Sequence, residues 1–149
     1  IGESLVYQLR LRVRFDYIGQ GRAGKKLFGN KNTEQLAEEI RQHKVSQIRN
    51  VPVQGIQIED IDMSQEVYSV IDEITGRRIC YAPVIITFSA DSLEDVLRFI
   101  MKEEFRTIEI LQPEQLELSR IELERLLLRI NDQLINYRDY LERKIDNWK

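Results

Sequence analysis

Every odd position from 5 to 17 (Leu5, Tyr7, Leu9, Leu11, Val13, Phe15, Tyr17) is apolar, while Gln8, Arg10, Arg12, Arg14 and Asp16 hold even ones. Period two over this length predicts a long strand with one face on a core. The period then changes. Asn32 or Thr33 caps a predicted helix over 33–44, with Leu36, Ala37 and Ile40 inward and Glu34, Glu38, Glu39 and Arg41 outward. Strand alternation returns at Val51, Val53, Ile56, Ile58 and Ile61, and again from Val67 to Ile71. The polar break between them, Asp62–Gln65, reads as a bulge or a short loop. Asp72 to Arg77 is a hairpin turn with Gly76 in the left-handed position. A return strand over 78–88 leads to a helix over 92–103, capped by Asp91 or Ser92. That helix carries Leu93, Val96, Leu97, Ile100 and Met101 at three- and four-residue spacing, and a strand over 106–111 follows.

The order strand, helix, strand thus occurs twice, and a hairpin joins the two halves. Such a chain is expected to fold as an α+β, ferredoxin-like split β-α-β sandwich, an antiparallel sheet with two helices on one face. Residues 1–112 form this domain, and residues 113–149 a long amphipathic C-terminal helix. Pro113 stands at the expected first turn, and no glycine or proline follows it. A helix from there to Trp148 would be about 50 Å long. Leu123, Leu127, Ile130, Leu134, Tyr137, Leu141 and Trp148 alternate four and three apart, Lys144 being the polar exception, which is a heptad seam. Ile121, Leu126, Leu128 and Ile135 widen the apolar arc. The first half of the helix is therefore expected to dock on its own domain. The second half is expected to project, pairing through Leu127, Ile130, Leu134, Tyr137, Leu141 and Trp148 as a coiled coil, in a homodimer or with a helical partner.

Composition adds bounds. Charged residues make up 32% and apolar ones 42% of 149 residues, a globular balance in a chain of single-domain length. The net charge of −3 hides an asymmetry. Residues 1–50 hold ten Lys and Arg against five Asp and Glu, whereas residues 51–149 hold twelve against twenty. The resulting dipolar field bears on the choice of partner. No apolar run approaches the ~20 residues of a membrane span and no signal-peptide pattern opens the chain, so a cytoplasmic location without membrane contact is expected.

Two basic features are candidates for binding. Arg10, Arg12 and Arg14, spaced by two, project side by side from one strand face. They meet carboxylates of neighbouring strands, form an anion-binding stripe, or are simply a solvated surface. Residues 18–32 form a glycine-rich basic loop carrying Arg22, Lys25, Lys26 and Lys31. Gly19-Gln20-Gly21-Arg22-Ala23-Gly24 has the G-x-G-x-x-G spacing, but no helix starts at once, and Lys26 stands where a phosphate loop needs Ser or Thr. A surface loop is the better reading.

Catalytic chemistry is poorly provided for. The single histidine, His43, falls at a predicted helix end, where capping explains it, and the single cysteine, Cys80, reads as a small buried hydrophobe. One of each supports neither a metal site nor a nucleophilic triad, and the paired acids read as solvated surface. No enzyme activity, metal or cofactor is expected.

Asp91-Ser92-Leu93-Glu94-Asp95-Val96-Leu97-Arg98-Phe99-Ile100, with Ile108-Glu109-Ile110-Leu111-Gln112-Pro113-Glu114-Gln115-Leu116 after it, resembles the C-terminal extension domain of WYL-type bacterial transcription regulators. There a strand-helix-strand unit ends in hydrophobic-x-hydrophobic-Leu-x-Pro-x-x-Leu before a final helix. The resemblance spans about residues 82–117 and implies a ferredoxin-like domain serving dimer contacts or regulation. The chain departs from that family in having no helix-turn-helix and no WYL barrel, and in its longer final helix. The expected function is a non-enzymatic interaction or regulatory module that self-associates through its last helix. It would present Arg10, Arg12, Arg14, Arg22, Lys25, Lys26 and Lys31 to an acidic partner. Nucleic-acid backbone binding by the same surface is the alternative, against which stands the lack of exposed aromatics on the arginine-bearing strand face.

Overall fold

The computed structural model describes residues 9–19 and 32–147. Strand β1 (Leu9–Gly19) is followed by helix α1 (Thr33–Asn50), β2 (Ile56–Asp62), β3 (Tyr68–Ile71) and β4 (Arg78–Ala90). Helix α2 (Leu93–Ile100), β5 (Phe105–Gln112) and helix α3 (Arg120–Asp146) complete the chain. The sheet is antiparallel throughout, in the order β2-β4-β1-β5, with β3 also paired to β4. It has the α+β, ferredoxin-like architecture expected of two β-α-β halves joined by a hairpin.

The alternation in β1 does what it predicts. Leu9, Leu11, Val13, Phe15 and Tyr17 are buried, and across the β1–β4 ladder Cys80, Ala82, Val84, Ile86, Phe88 and Ala90 turn to the same side. Val45 of α1 and Val96, Phe99 and Ile100 of α2 close over them, so both helices cover one face. Phe99 sets its ring edge against both Phe15 and Phe88, with centroids at 6.1 and 4.9 Å, a favoured aromatic geometry.

Several boundaries differ from those read off the pattern, each for a local reason. Helix α1 continues six residues past Lys44, because Val45 and Ile48 keep the apolar line running into the core. His43 is therefore an exposed mid-helix residue, not a cap. Arg41, expected outside, lies in the buried line Ala37-Arg41-Val45, where its guanidinium donates to the carbonyls of Gln65 (2.7 Å) and Pro83 (3.2 Å). The second strand begins only at Ile56. Its bulge falls between Ile58 and Asp60, inside the strand, and brings Ile58 and Ile61, three apart, both onto the core. The break before β3 is a true loop. Asp72 to Arg77 forms the expected hairpin, with Gly76 at φ 68° and the Asp72 carboxylate accepting from the Ile74 amide at 3.0 Å and the Thr75 hydroxyl at 3.0 Å.

The last helix starts at Arg120, not at Pro113. Ser119 caps it, accepting from the amide of Glu122 at 3.2 Å. It has 27 residues, about 40 Å of helix. None of its residues is buried.

Candidate functional site

Two surfaces on opposite sides of the sheet carry the candidate residues. The first is the sheet face that the helices leave open. Here Arg10 pairs with Glu59 of β2 at 2.6 Å, Arg12 with Glu109 of β5 at 3.2 Å, and Arg14 with Asp16 of its own strand at 2.8 Å. The β2 bulge contributes to this, since it sets Glu59 within reach of both Arg10 and Ser89. The arginines are thus charge-compensated within the sheet. Arg22, Lys25, Lys26 and Lys31 lie outside the described residues.

At one end of this face Asp16 forms a hub. Its carboxylate is nearly inaccessible, yet it accepts from Arg14, receives the phenol hydroxyl of Tyr68, and lies 3.5 Å from the Arg106 guanidinium. A buried carboxylate persists only when so partnered. The bond to Asp16 raises the pKa of the Arg14 guanidinium, and desolvation followed by the same carboxylate raises that of the Tyr68 phenol. Tyr68 and Tyr81, opposite each other across the β3–β4 ladder, stack with centroids 5.4 Å apart. Arg106, the extra residue in a β5 bulge, carries its guanidinium 5.2 Å from the Tyr81 ring centre. Sequence reasoning missed Asp16, Tyr68, Tyr81 and Arg106 as a group. Aromatic residues do share the face with the arginines, brought there by β3 and β4, with Tyr68 38% exposed.

The second surface is α3. Apart from Asp139, only Leu126, Arg129 and Gln133 are half-buried along it, and the rest are exposed to varying degrees. They recur at helical spacing and mark the side turned to α2, where Arg129 lies 3.8 Å from Glu94. Ile121 and Leu128, expected to dock, are instead exposed. The heptad seam is exposed along its length, Leu127 59% and Leu134 60%, with Ile130, Tyr137 and Leu141 exposed to a lesser degree. Its second half, Leu134, Tyr137 and Leu141, borders the cleft beside residues 100–105. Trp148 lies outside the described residues.

Beyond the contact with α2, the helix stands off from its domain across an open cleft of about 1000 Å³. Residues 100–105 form one wall, and Leu134, Tyr137, Tyr140, Leu141 and Lys144 stand on the other. Lys102, although exposed as a residue, holds its ammonium 5.3 Å from the Phe99 ring centre, and burial of that group lowers its pKa. Ile108 and Ile110 of the edge strand β5 are also exposed, although their partners Val13 and Leu11 are core.

Among the described residues no cluster of His, Cys, Asp and Glu has the arrangement to hold a metal ion, and no helix is long and apolar enough to cross a membrane. Cys80 is buried, 3.2 Å from the Thr33 hydroxyl. Comparison with protein-family models, curated proteins and solved structures finds no match. Fold and surfaces define the class: a ferredoxin-like α+β domain with one charge-compensated open sheet face and one long amphipathic helix whose apolar seam is exposed.

Proposed function

We propose that the protein is a non-enzymatic assembly module whose α3 pairs with α3 of a second copy. One observation carries this reading: a 27-residue helix keeps an apolar heptad seam exposed and has no buried residue. Isolated helices of this kind gain most of their stability from packing an apolar face, and a contiguous exposed apolar stripe on a globular domain is a mark of an interface. Light scattering on the full chain tests it. A dimer is expected, and a Leu127→Arg, Leu134→Arg variant should be a folded monomer, because both side chains are exposed within the protomer. A monomeric full chain at micromolar concentration would overturn the reading.

A second reading, nucleic-acid binding on the open sheet face, is favoured by the Tyr68–Tyr81 pair beside Arg14 and Arg106. Stacking bases on such a face would require Tyr68 to present its exposed ring. Quenching of tyrosine fluorescence by single-stranded oligonucleotides, lost in Tyr68→Ala and steeply weakened by salt, would support it over the assembly reading.

A further inference from the structure

The heptad places Leu127, Leu134 and Leu141 at its a positions and Leu123, Ile130 and Tyr137 at its d positions. Two flanks remain. Leu126, Gln133 and Tyr140, the g flank, lie along the side turned to the domain, where Leu126 and Gln133 are half-buried and Tyr140 faces the cleft. Glu124, Asn131 and Arg138, the e flank, are all exposed and therefore available to a second helix. Arg138 is held only loosely within its own chain, 3.7 Å from Asp139 and 4.0 Å from Glu142.

From this pattern we infer that two copies join through α3 in an antiparallel alignment centred on Asn131, an inference that rests on the assembly reading above. In that register each a position layers against a d position of the partner chain: Leu127 on Tyr137, Ile130 on Leu134, Leu123 on Leu141. The e flanks then meet each other, so that Glu124 of each chain faces Arg138 of the other, and Asn131 faces Asn131 on the two-fold axis. Glu124 and Arg138 are equidistant from Asn131, which makes the flank self-complementary in charge. A parallel, in-register pair would match e with g, setting Asn131 against Leu126 and Arg138 against Gln133, with no opposite charges in contact. Complementary e and g positions set orientation in coiled coils. Lys144 does not discriminate, because it meets a cation in either alignment, Arg120 or itself, at the outer ends of the pair.

Cysteine cross-linking on the full chain reads the alignment directly. Asn131→Cys should form a disulfide-linked dimer under mild oxidation, since its two copies meet on the axis, and buried Cys80 should not interfere. Tyr137→Cys should fail to cross-link, because its neighbour is Leu127 and not its own copy. Reversing one charge, Glu124→Arg or Arg138→Glu, makes two repulsive pairs per dimer and should weaken the dimer by about tenfold. Combining the two reversals should restore it. A dimer that cross-links through Tyr137→Cys and not Asn131→Cys would overturn the antiparallel alignment while leaving self-association standing. A chain that is monomeric by light scattering before any substitution would overturn both.

Discussion

Arg41 shows how far one side chain can depart from what its letter suggests. A guanidinium buried to this degree is tolerated because its Nη1 donates to backbone oxygens of both the β2–β3 loop and β4, tying that loop to α1. Its Nη2 donates to the Glu38 carboxylate one turn back, although its Nε has no partner. Replacing it with Met keeps the apolar stem but leaves the Pro83 carbonyl without that donor. The expected loss is about 3 kcal/mol of stability, read from urea unfolding. Tyr17 makes a prediction about pH. Burial, assisted by the nearby Glu104 charge, pushes its phenol well above the ordinary value. In the unfolded chain that phenol ionises near pH 10, whereas the folded protein still holds the proton. Above about pH 10 the folded state thus binds more protons than the unfolded state, and stability falls as pH rises. The urea midpoint should fall progressively as the pH is raised above about 10, and less steeply in Tyr17→Phe. An equal slope in both proteins would contradict the assignment.

At the scale of elements, β1 carries the core on one side and an ion-paired stripe on the other. The three arginines look alike in sequence and differ in environment. Arg10 and Arg12 form exposed pairs, worth at most about 1 kcal/mol each, so Gln at both should barely move the denaturation midpoint. Arg14 is bound to Asp16, which has almost no access to water. Arg14→Gln should cost about 2 kcal/mol, because it strips a partner from a buried carboxylate. A comparable loss from Arg10 and Arg12 would show that the exposed pairs matter more than their solvation suggests. Gly19 ends the same strand where α1 passes close. A Cβ there would sit 2.3 Å from the Ala37 amide nitrogen and 2.5 Å from the Thr33 carbonyl oxygen, so this glycine serves close packing of strand and helix.

For the molecule as a whole, the division of labour is plain among the described residues. Every buried apolar side chain belongs to β1, α1, β4 or α2. Helix α3 therefore contributes surface where the other two helices contribute core, and substitutions along its seam should alter association while leaving the protomer's unfolding transition in place. Most of the chain's positive excess lies before residue 51, and the negative excess after it. Folding nonetheless mixes the two signs locally, since Glu59 and Glu109 from the acidic part come to rest on arginines from the basic part.

Strand and helix identity, the antiparallel α+β arrangement, the buried side of β1 and the amphipathic pattern of α3 were all determined by the sequence alone, because period and turn chemistry act over a few residues. What those elements meet depended on tertiary structure. The extension of α1 over Val45 and Ile48 and the burial of Arg41 needed the sheet beneath the helix. The start of α3 at Arg120, by contrast, is a local matter, the Ser119 cap prevailing over Pro113 as the more obvious signal. The hub of Asp16, Tyr68, Tyr81 and Arg106 draws on four strands, and its assembly depends on register and on the β5 bulge. Neither can be read from one chain segment, because register is a relation between strands.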